Sequence, residues 1–131
     1  MTSPQGKTVI ITGAAGGLGK ALAEAFLATG ANIVVCDVHP QRLASVNGEW
    51  TKVYPDKFLT QQVDVTDEAA VNALIEAAVA KFGRIDILIN NAGVMDDFSP
   101  AGACSKALWD RVLNINLNGP FLATKAAIAQ F

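Results

Sequence analysis

Short apolar runs alternate with longer amphipathic stretches along this chain of 131 residues. The runs 8–12, 32–38 and 85–89 are rich in β-branched residues and show no polar alternation, which is typical of strands buried on both faces of a parallel sheet. A fourth and more polar run, 58–65, predicts a strand nearer the edge of the sheet. The hydrophobic pattern therefore predicts four parallel strands.

The stretches between these runs carry helical spacing and recognisable ends. A first series of apolar residues at helical spacing begins at Leu18. This helix is expected to end at Gly30, because glycine most often takes the left-handed position after a helix. A second series of apolar residues at helical spacing runs from Val71 to Phe82. We expect Thr66 to be the N-cap of this helix and Gly83 to end it. Two amphipathic helices are thus placed between strands.

The remaining segments give weaker signals. Pro40 is expected to open a short helix through 41–46, and 47–57 reads as a loop. A last helix is expected to start near Ser105 and to be still running at Phe131. Strand and helix then alternate four times, which predicts βαβ units in a single α/β domain, because no linker, repeat or second domain is visible.

Composition narrows the functional class. Hydrophobic residues make up 51% and charged residues 17% of the chain, which excludes a disordered protein. The formal net charge is only −2, so electrostatics give no case for nucleic acid or membrane partners, and no apolar run approaches the roughly 18 residues of a membrane span. No secretory signal is seen, and Cys36 and Cys104 are expected to be reduced thiols of a cytoplasmic protein. No metal site is predicted.

A glycine-rich loop, T-G-A-A-G-G-L-G at 12–19, joins the first strand to the first helix. A dinucleotide pyrophosphate needs backbone N–H groups and the positive end of a helix with no Cβ in its way. Gly13 permits the tight turn, Gly17 the close approach of a ligand, and Gly19 the packing of helix on strand. Thr12 and Leu18 complete the predicted cofactor loop, the alternative being a glycine turn without a ligand.

Acidic residues end the second and third strands. Asp37 lies at about the separation of 20 residues at which such a carboxylate accepts hydrogen bonds from the adenosine ribose. It would repel a 2′-phosphate, and neither Gly16 nor Val38 is basic, so NAD is favoured over NADP. Asp64 is a second candidate, able to accept from the adenine amino group if it faces the crevice. A solvated aspartate is the alternative in both cases.

Together with N-N-A-G at 90–93, D-V at 64–65 and N-L-x-G-x-F at 116–121, these motifs make the chain resemble the short-chain dehydrogenase/reductase family. The resemblance implies a Rossmann-type doubly wound parallel sheet and a nicotinamide cofactor. It also implies that Asp64 and Val65 hold the adenine. Asn90, Ala92 and Gly93 would line the cofactor cleft and support the sheet, and Asn116 matches the family's catalytic asparagine.

Helical spacing supports Asn116 independently. Leu108, Val112 and Asn116 are spaced i, i+4, i+8, so they are predicted to share a face turned toward the sheet. Pro120 has no N–H to offer the carbonyl of Asn116, which leaves that oxygen free to hold a water. The family uses such a water in proton relay. A proline kink beside a structural asparagine is the alternative.

The rest of the family's catalytic set has no match in this sequence. Family members carry a serine on the next strand and a Tyr-x-x-x-Lys on the next helix, whereas the one tyrosine here, Tyr54, is followed four residues later by Phe58. We therefore interpret the chain as the N-terminal half of such an enzyme, a fold truncated after the fourth strand and its following helix. Alone it is expected to bind cofactor without turnover.

Three functional hypotheses follow from these residues. The first is the cofactor-binding half of an NAD-dependent oxidoreductase that interconverts an alcohol and a carbonyl, whose full-length form is expected to be a homo-oligomer. The second is a catalytically inactive sensor or regulator that binds a dinucleotide. The third, half of an S-adenosylmethionine-dependent methyltransferase, is disfavoured by the motifs at 12–19 and 90–93. The substrate is expected to be set by the C-terminal half.

Overall fold

Four parallel strands form one sheet in the computed structural model, which describes residues 2–131. The strands are β1 (Thr8–Thr12), β2 (Asn32–Asp37), β3 (Phe58–Gln62) and β4 (Ile87–Ile89), and they lie in the order β3-β2-β1-β4. Thr8 pairs with Asn32, Val9 with Ile87, and Ile33 with Phe58. The carboxyl ends of all four strands therefore meet at one edge of the sheet.

Five α-helices accompany the sheet: α1 (Gly17–Ala28), α2 (Pro40–Val53), α3 (Glu68–Phe82), α4 (Lys106–Leu113) and α5 (Gly119–Ile128). A 3₁₀ turn occupies Ala101–Ala103, and a π-helical segment, Asn114–Asn118, joins α4 to α5. No helix within residues 2–131 is long and apolar enough to cross a membrane.

The core has two layers, one on each face of the sheet. Alternate residues of β1 and β2 point to opposite faces, so Ile11 and Val35 pack with Leu27 and Trp50 of α1 and α2. On the other face, Ile10 and Val34 pack with residues of α3 and α5 that include Leu74, Ile75, Ala123 and Ala127. Helices on both faces of a parallel sheet confirm the predicted doubly wound α/β fold.

The predicted helix ends are partly confirmed. Gly30 has φ 83°, and the Ala31 N–H donates to Phe26 O at 3.2 Å, so α1 ends in a Schellman motif. Gly83 takes the left-handed conformation after α3. Thr66 as the N-cap of α3 is wrong. The Asp67 carboxylate caps it by accepting the Ala70 N–H at 3.1 Å, while the Thr66 hydroxyl donates to Asp64.

The predicted loop over 47–57 is also wrong, because α2 continues to Val53. Trp50 anchors the added turns: its ring is 2% exposed and meets Phe58 edge-on at 5.5 Å, and its Nε1–H donates to Glu24 at 3.2 Å. This burial outweighs the low helix propensity of the glycine and β-branched residues in the segment.

Other predicted boundaries need smaller corrections. β2 ends at Asp37, β3 at Gln62 and β4 begins at Ile87, so each strand is shorter than the apolar run that predicted it. The last helix starts at Lys106, with Ser105 as its N-cap, but the π segment interrupts it and it ends at Ile128.

β4 differs from the inner strands in its environment. Its three residues are half-buried, whereas all of β1 is buried. Within residues 2–131, β4 pairs with β1 alone, so its other edge has no strand partner. Cys36, on the inner strand β2, is a free and fully buried thiol whose pKa burial raises to about 12.

Candidate functional site

An open cleft of about 490 Å³ lies at the carboxyl ends of the strands, where the chain leaves β1 for α1 and leaves β2 for α2. Ligands of open α/β sheets bind at this edge. Eight of the residues predicted from the sequence line it: Gly13, Gly17, Leu18, Asp37, Asp64, Val65, Ala92 and Gly93. The structure therefore brings together residues from four separate segments of the chain.

The glycine loop forms one wall of the cleft, and its glycines have distinct roles. Gly13 has φ 63°, and a Cβ there would lie 2.8 Å from the Cα of Ala92. Gly17 has φ 55°, but a Cβ there would meet no atom within 4 Å. Gly13 is therefore required by packing, whereas Gly17 keeps open space beside the N-terminus of α1.

No side chain makes a capping hydrogen bond at the N-terminus of α1. Its N-cap, Gly16, offers no side-chain acceptor, and its first turn contains no acidic residue. A helix N-terminus carries a partial positive charge and unpaired N–H groups, which favour an anion. The sequence leaves these groups available to a ligand.

Asn91 and Thr12 lock the glycine loop to the segment after β4. The Asn91 Nδ2 donates to the carbonyls of Thr12 and Gly13, both at 3.0 Å. In return, the Thr12 Oγ1 accepts the N–H groups of Asn91 and Ala92 at 3.1 and 3.0 Å. Asn91, which the sequence prediction missed although it lies inside N-N-A-G, thus positions the loop, and Thr12 acts beneath the cleft rather than in it.

Asp37 is held in place at the end of β2. Its side chain is 8% exposed overall, with Oδ2 accepting the Ala15 N–H at 3.1 Å and Oδ1 accepting the His39 N–H at 3.2 Å. Both oxygens retain lone pairs, since a carboxylate accepts about four hydrogen bonds. The carboxylate thus borders the cleft in a fixed orientation with acceptor capacity to spare.

Asp64 and Val65 form the opposite part of the wall. Asp64 is exposed, and its Oδ1 accepts both the backbone N–H and the hydroxyl of Thr66, at 2.9 and 2.7 Å. Val65 is buried against α5, because a Cβ on Gly119 would lie only 2.7 Å from Val65 Cγ2. Asp64 lies two residues beyond the end of β3, not at its last residue as the sequence suggested.

Asn116 lies in the π segment and binds the loop that follows Gly93. Its side chain exchanges two hydrogen bonds with the backbone of Val94. The predicted face toward the sheet is wrong: Asn116 is exposed, since α5 rather than α4 covers the sheet. The π segment also accommodates Pro120, which lacks an N–H; here the Gly119 N–H reaches Asn114 O instead.

The four other predicted residues, Gly19, Asn90, Thr12 and Asn116, do not line the cleft. Gly19 packs under the loop, where a Cβ would lie 2.8 Å from Ala14 Cα. Asn90 turns away, donating from Nδ2 to the Thr124 hydroxyl at 3.1 Å, so it ties β4 to α5. Thr12 and Asn116 likewise act through the residues that they bind. These side chains shape the cleft without lining it.

The cleft also contains two cations that sequence reasoning did not place there, Arg42 from α2 and Arg111 from α4. Neither Gly16 nor Val38 is basic, but Arg42 lies beside Gly16, because a Cβ on Gly16 would lie 3.9 Å from both Cδ and Nη1 of Arg42. Arg42 is five residues beyond Asp37, in the first turn of α2. Residues 2–131 contain no cluster of three or more potential metal ligands.

Comparison with known proteins agrees with this geometry. A family model described as short chain dehydrogenase matches residues 7–131. A short chain dehydrogenase/reductase of Macrophomina phaseolina is 45% identical over 97% of this chain and 73% of its own length. A 3-oxoacyl-[acyl-carrier-protein] reductase of Thermotoga maritima is 36% identical over 95% of this chain and 50% of its own length.

Solved structures show the same fold. A crystal structure of a 3-ketoacyl-(acyl-carrier-protein) reductase from Brucella melitensis, complexed with NADH, is 36% identical and superimposes with a TM-score of 0.91. The match covers 98% of this chain and 52% of that one. This chain thus spans about half the length of the two reductases and 73% of the Macrophomina protein.

Proposed function

This chain belongs to the short-chain dehydrogenase family, and from that premise we propose that it binds NAD as the cofactor-binding part of an oxidoreductase that interconverts an alcohol and a carbonyl compound. The resemblance drawn from the sequence motifs is confirmed at the level of family and fold. The observation that carries the proposal is the cleft itself, in which the glycine loop, an uncapped helix N-terminus and Asp37 face one space.

The residues present fit a dinucleotide. The open space beside Gly17 and the free N–H groups of α1 suit a pyrophosphate, which needs close approach to backbone and a positive helix end. Asp37, next to them, can accept hydrogen bonds from the two hydroxyls of an adenosine ribose, and Asp64 and Val65 can border the adenine. These assignments favour NAD over NADP, because the Asp37 carboxylate would repel a phosphate at the 2′ position.

When bound, the cofactor would supply the hydride donor or acceptor for the substrate carbon. The chain's own contribution is to hold the cleft open and rigid: Asn91 and Thr12 fix the glycine loop, while Asn116 fixes Val94 beside Ala92 and Gly93. We propose Asn116 as the one member of the catalytic set present, acting through its backbone carbonyl, to which Pro120 can offer no N–H.

In the whole protein, substrate alcohols or carbonyls would be bound chiefly by residues outside this chain. The chain alone is proposed to bind cofactor without turnover.

We also propose that the whole protein is a homo-oligomer, because Leu117, Phe121 and Ile128 are each more than half exposed. Light scattering of the whole protein tests the proposed oligomeric state.

The cofactor proposal can be tested by calorimetric titration with NAD and with S-adenosylmethionine. We expect saturable binding of NAD alone. Gly17→Ala should weaken it at least tenfold, because alanine is strained at φ 55° and its methyl group enters the pyrophosphate space. Gly48→Ala in α2 is the matched control, since a Cβ there also meets no atom within 4 Å and no positive φ is involved.

Two results would contradict the proposal. One is binding of S-adenosylmethionine in preference to NAD. The other is equal NAD affinity for the Gly17→Ala and Gly48→Ala variants, which would remove the glycine loop from the binding site. Formation of NADH from an alcohol by the purified chain of 131 residues would overturn the separate proposal that it binds without turnover.

A further inference from the structure

A second cavity, of about 280 Å³, lies between α4 and the loop that leads into it. Most of its walls are apolar, formed by Ala101 of the loop and by Leu108, Trp109, Val112 and Leu113 of α4. None of its lining residues lines the cofactor cleft. Because an apolar cavity of about 150 Å³ can hold benzene, this one is large enough for a molecule with one aromatic ring.

Among the residues that line this cavity, only Asp96 is charged. Its Oδ1 accepts the Phe98 N–H at 3.1 Å, which orients the carboxylate and leaves lone pairs on both oxygens. Within residues 2–131, no lysine, arginine or histidine nitrogen lies within 4.0 Å of it, since Lys106 at the start of α4 pairs with Asp110 instead. The lining therefore combines an apolar surface with one uncompensated negative charge.

An organic ammonium ion matches this combination. The Asp96 carboxylate attracts the cation, and the Ser99 hydroxyl in the lining can accept one of its N–H groups. The indole ring of Trp109 adds a π face that attracts a cation. The apolar part of the ligand would replace water against Leu108 and Val112. An anion of the same shape would be repelled, and a neutral molecule would gain the apolar contacts alone.

We propose that this cavity binds a small protonated amine that carries one aromatic or cyclic substituent. The ammonium group pairs with Asp96, and the substituent packs against Leu108, Trp109 and Val112. This inference goes beyond the proposed function and does not depend on it, because the cavity and the cofactor cleft share no lining residue.

The probe is phenethylammonium, compared with phenethyl alcohol and hydrocinnamate, which keep the ring and change the charge. Tryptophan fluorescence measures the dissociation constants, because Trp109 lines the cavity whereas the other tryptophan, Trp50, is buried in the core. We expect the amine to bind about fivefold more tightly than the alcohol, the upper range for an exposed ion pair, and hydrocinnamate not to bind. Trp109→Phe should abolish the fluorescence response.

Two aspartate variants test the charge. Asp96→Asn should weaken phenethylammonium binding about fivefold and leave phenethyl alcohol within about twofold. The matched control is Asp97→Asn, because the Asp97 carboxylate accepts the Ser99 N–H at 3.0 Å but does not line the cavity. It should leave the ratio of the two constants unchanged. The advantage of the amine should also shrink at about 0.5 M salt, since Asp96 is exposed and its charge is screened.

Cys104 gives an independent measure of occupancy. Its thiol lines the cavity and is half-buried, whereas the other cysteine, Cys36, is fully buried in β2. A methanethiosulfonate reagent should therefore modify Cys104 in the folded chain, and saturating phenethylammonium should slow that reaction several-fold. Val112→Phe, which fills the cavity, should remove the protection. Circular dichroism of each variant confirms that it is folded.

Several results would overturn this inference. They are equal affinity of the wild type for the amine and the alcohol, equal effects of Asp96→Asn and Asp97→Asn, and a fluorescence response that survives in Trp109→Phe. Displacement of the amine by NAD would assign the amine to the cofactor cleft. Binding that disappears as the protein concentration rises would assign the cavity to a second copy of the chain. Failure of NAD to bind overturns the proposed function alone.

Discussion

Asn116 holds both backbone groups of a single residue, Val94: its Oδ1 accepts the Val94 N–H at 2.8 Å, and its Nδ2 donates to the Val94 carbonyl at 2.7 Å. Gly93 lies directly against this pair, since a Cβ there would come within 3.3 Å of the same Oδ1. The π segment is thereby tied to the part of the cleft wall formed by Gly93 and Val94. These two hydrogen bonds fix the orientation of the Asn116 amide toward Val94.

Asn116→Asp should loosen this wall. The aspartate can still accept the Val94 N–H, but its second oxygen faces the Val94 carbonyl and repels it. We expect a loss of about 1–3 kcal/mol in the free energy of unfolding and weaker NAD binding. Urea denaturation and calorimetry measure the two effects. The control is Asn118→Asp, because the Asn118 side chain donates to the Asn114 side chain and not to Val94. Equal effects of the two substitutions would rule out a specific role for the hydrogen bonds between Asn116 and Val94.

Two threonines of β1 should respond oppositely to replacement by valine. The Thr8 hydroxyl is buried and has no hydrogen-bond partner within residues 2–131, so Thr8→Val should raise the free energy of unfolding by about 1 kcal/mol. Thr12→Val leaves the N–H groups of Asn91 and Ala92 without their acceptor and should lower it by about 1–3 kcal/mol. Thermal denaturation measures both effects. If the free energy of unfolding changes in the same direction for Thr8→Val and Thr12→Val, the roles given to the two hydroxyls are contradicted.

Replacing Asp37 should narrow the preference for NAD over NADP. Asp37→Ala removes the repelling charge together with two internal hydrogen bonds, whereas Asp37→Asn removes the charge and keeps an oxygen acceptor. Each tenfold change in the ratio of dissociation constants corresponds to about 1.4 kcal/mol. We expect both variants to narrow the ratio and Asp37→Ala to be the less stable. Equal affinity of the wild type for both cofactors would contradict the assignment.

Asp86 should make stability sensitive to acid. The Arg84 guanidinium, helped by the Thr8 N–H at 2.9 Å, lowers the pKa of the Asp86 carboxyl below its usual 3.8, although burial opposes the shift. A carboxylate with a lowered pKa in the folded state stabilises the fold above its unfolded pKa, and this contribution disappears as pH falls through the folded value.

The measurement is the difference in unfolding free energy between the wild type and Asp86→Asn. It should be constant from pH 7 to about 5 and should shrink below about pH 4, where the unfolded carboxyl takes up a proton. Asp97→Asn is the comparison, because that carboxyl has a pKa lowered by local hydrogen bonds to Ser99 but no contact with the sheet. If the difference in unfolding free energy between the wild type and Asp86→Asn instead grows toward low pH, the assignment of a lowered pKa to the Asp86 carboxyl is refuted.

The sequence predicted those parts of the fold that short segments determine by themselves. A β-branched run such as Thr8–Thr12 is apolar on both sides and can only be buried, and Gly30 and Gly83 carry the positive φ that ends a helix. The glycine loop at 12–19 could be identified for the same reason, because the spacing of its glycines reflects the backbone geometry that the cleft needs. Asn90, Ala92 and Gly93 were identified only through the family resemblance.

Long-range contacts account for what the sequence did not reveal. The second half of α2 exists because Trp50 reaches Glu24 and Phe58, which lie on other elements. Arg42 lies beside Gly16, on a different element, and no pattern within α2 indicates that contact. Asn116 was placed on the correct element but was assigned the wrong neighbour, since helical spacing defines a face and not what lies opposite it.

The half-buried strand β4 has a consequence for the chain in isolation. Within residues 2–131, Ile87–Ile89 have no strand partner along one edge, and an unpaired edge is a template for a strand from another molecule. Purified by itself, the chain should therefore self-associate in a concentration-dependent way and bind a hydrophobic dye.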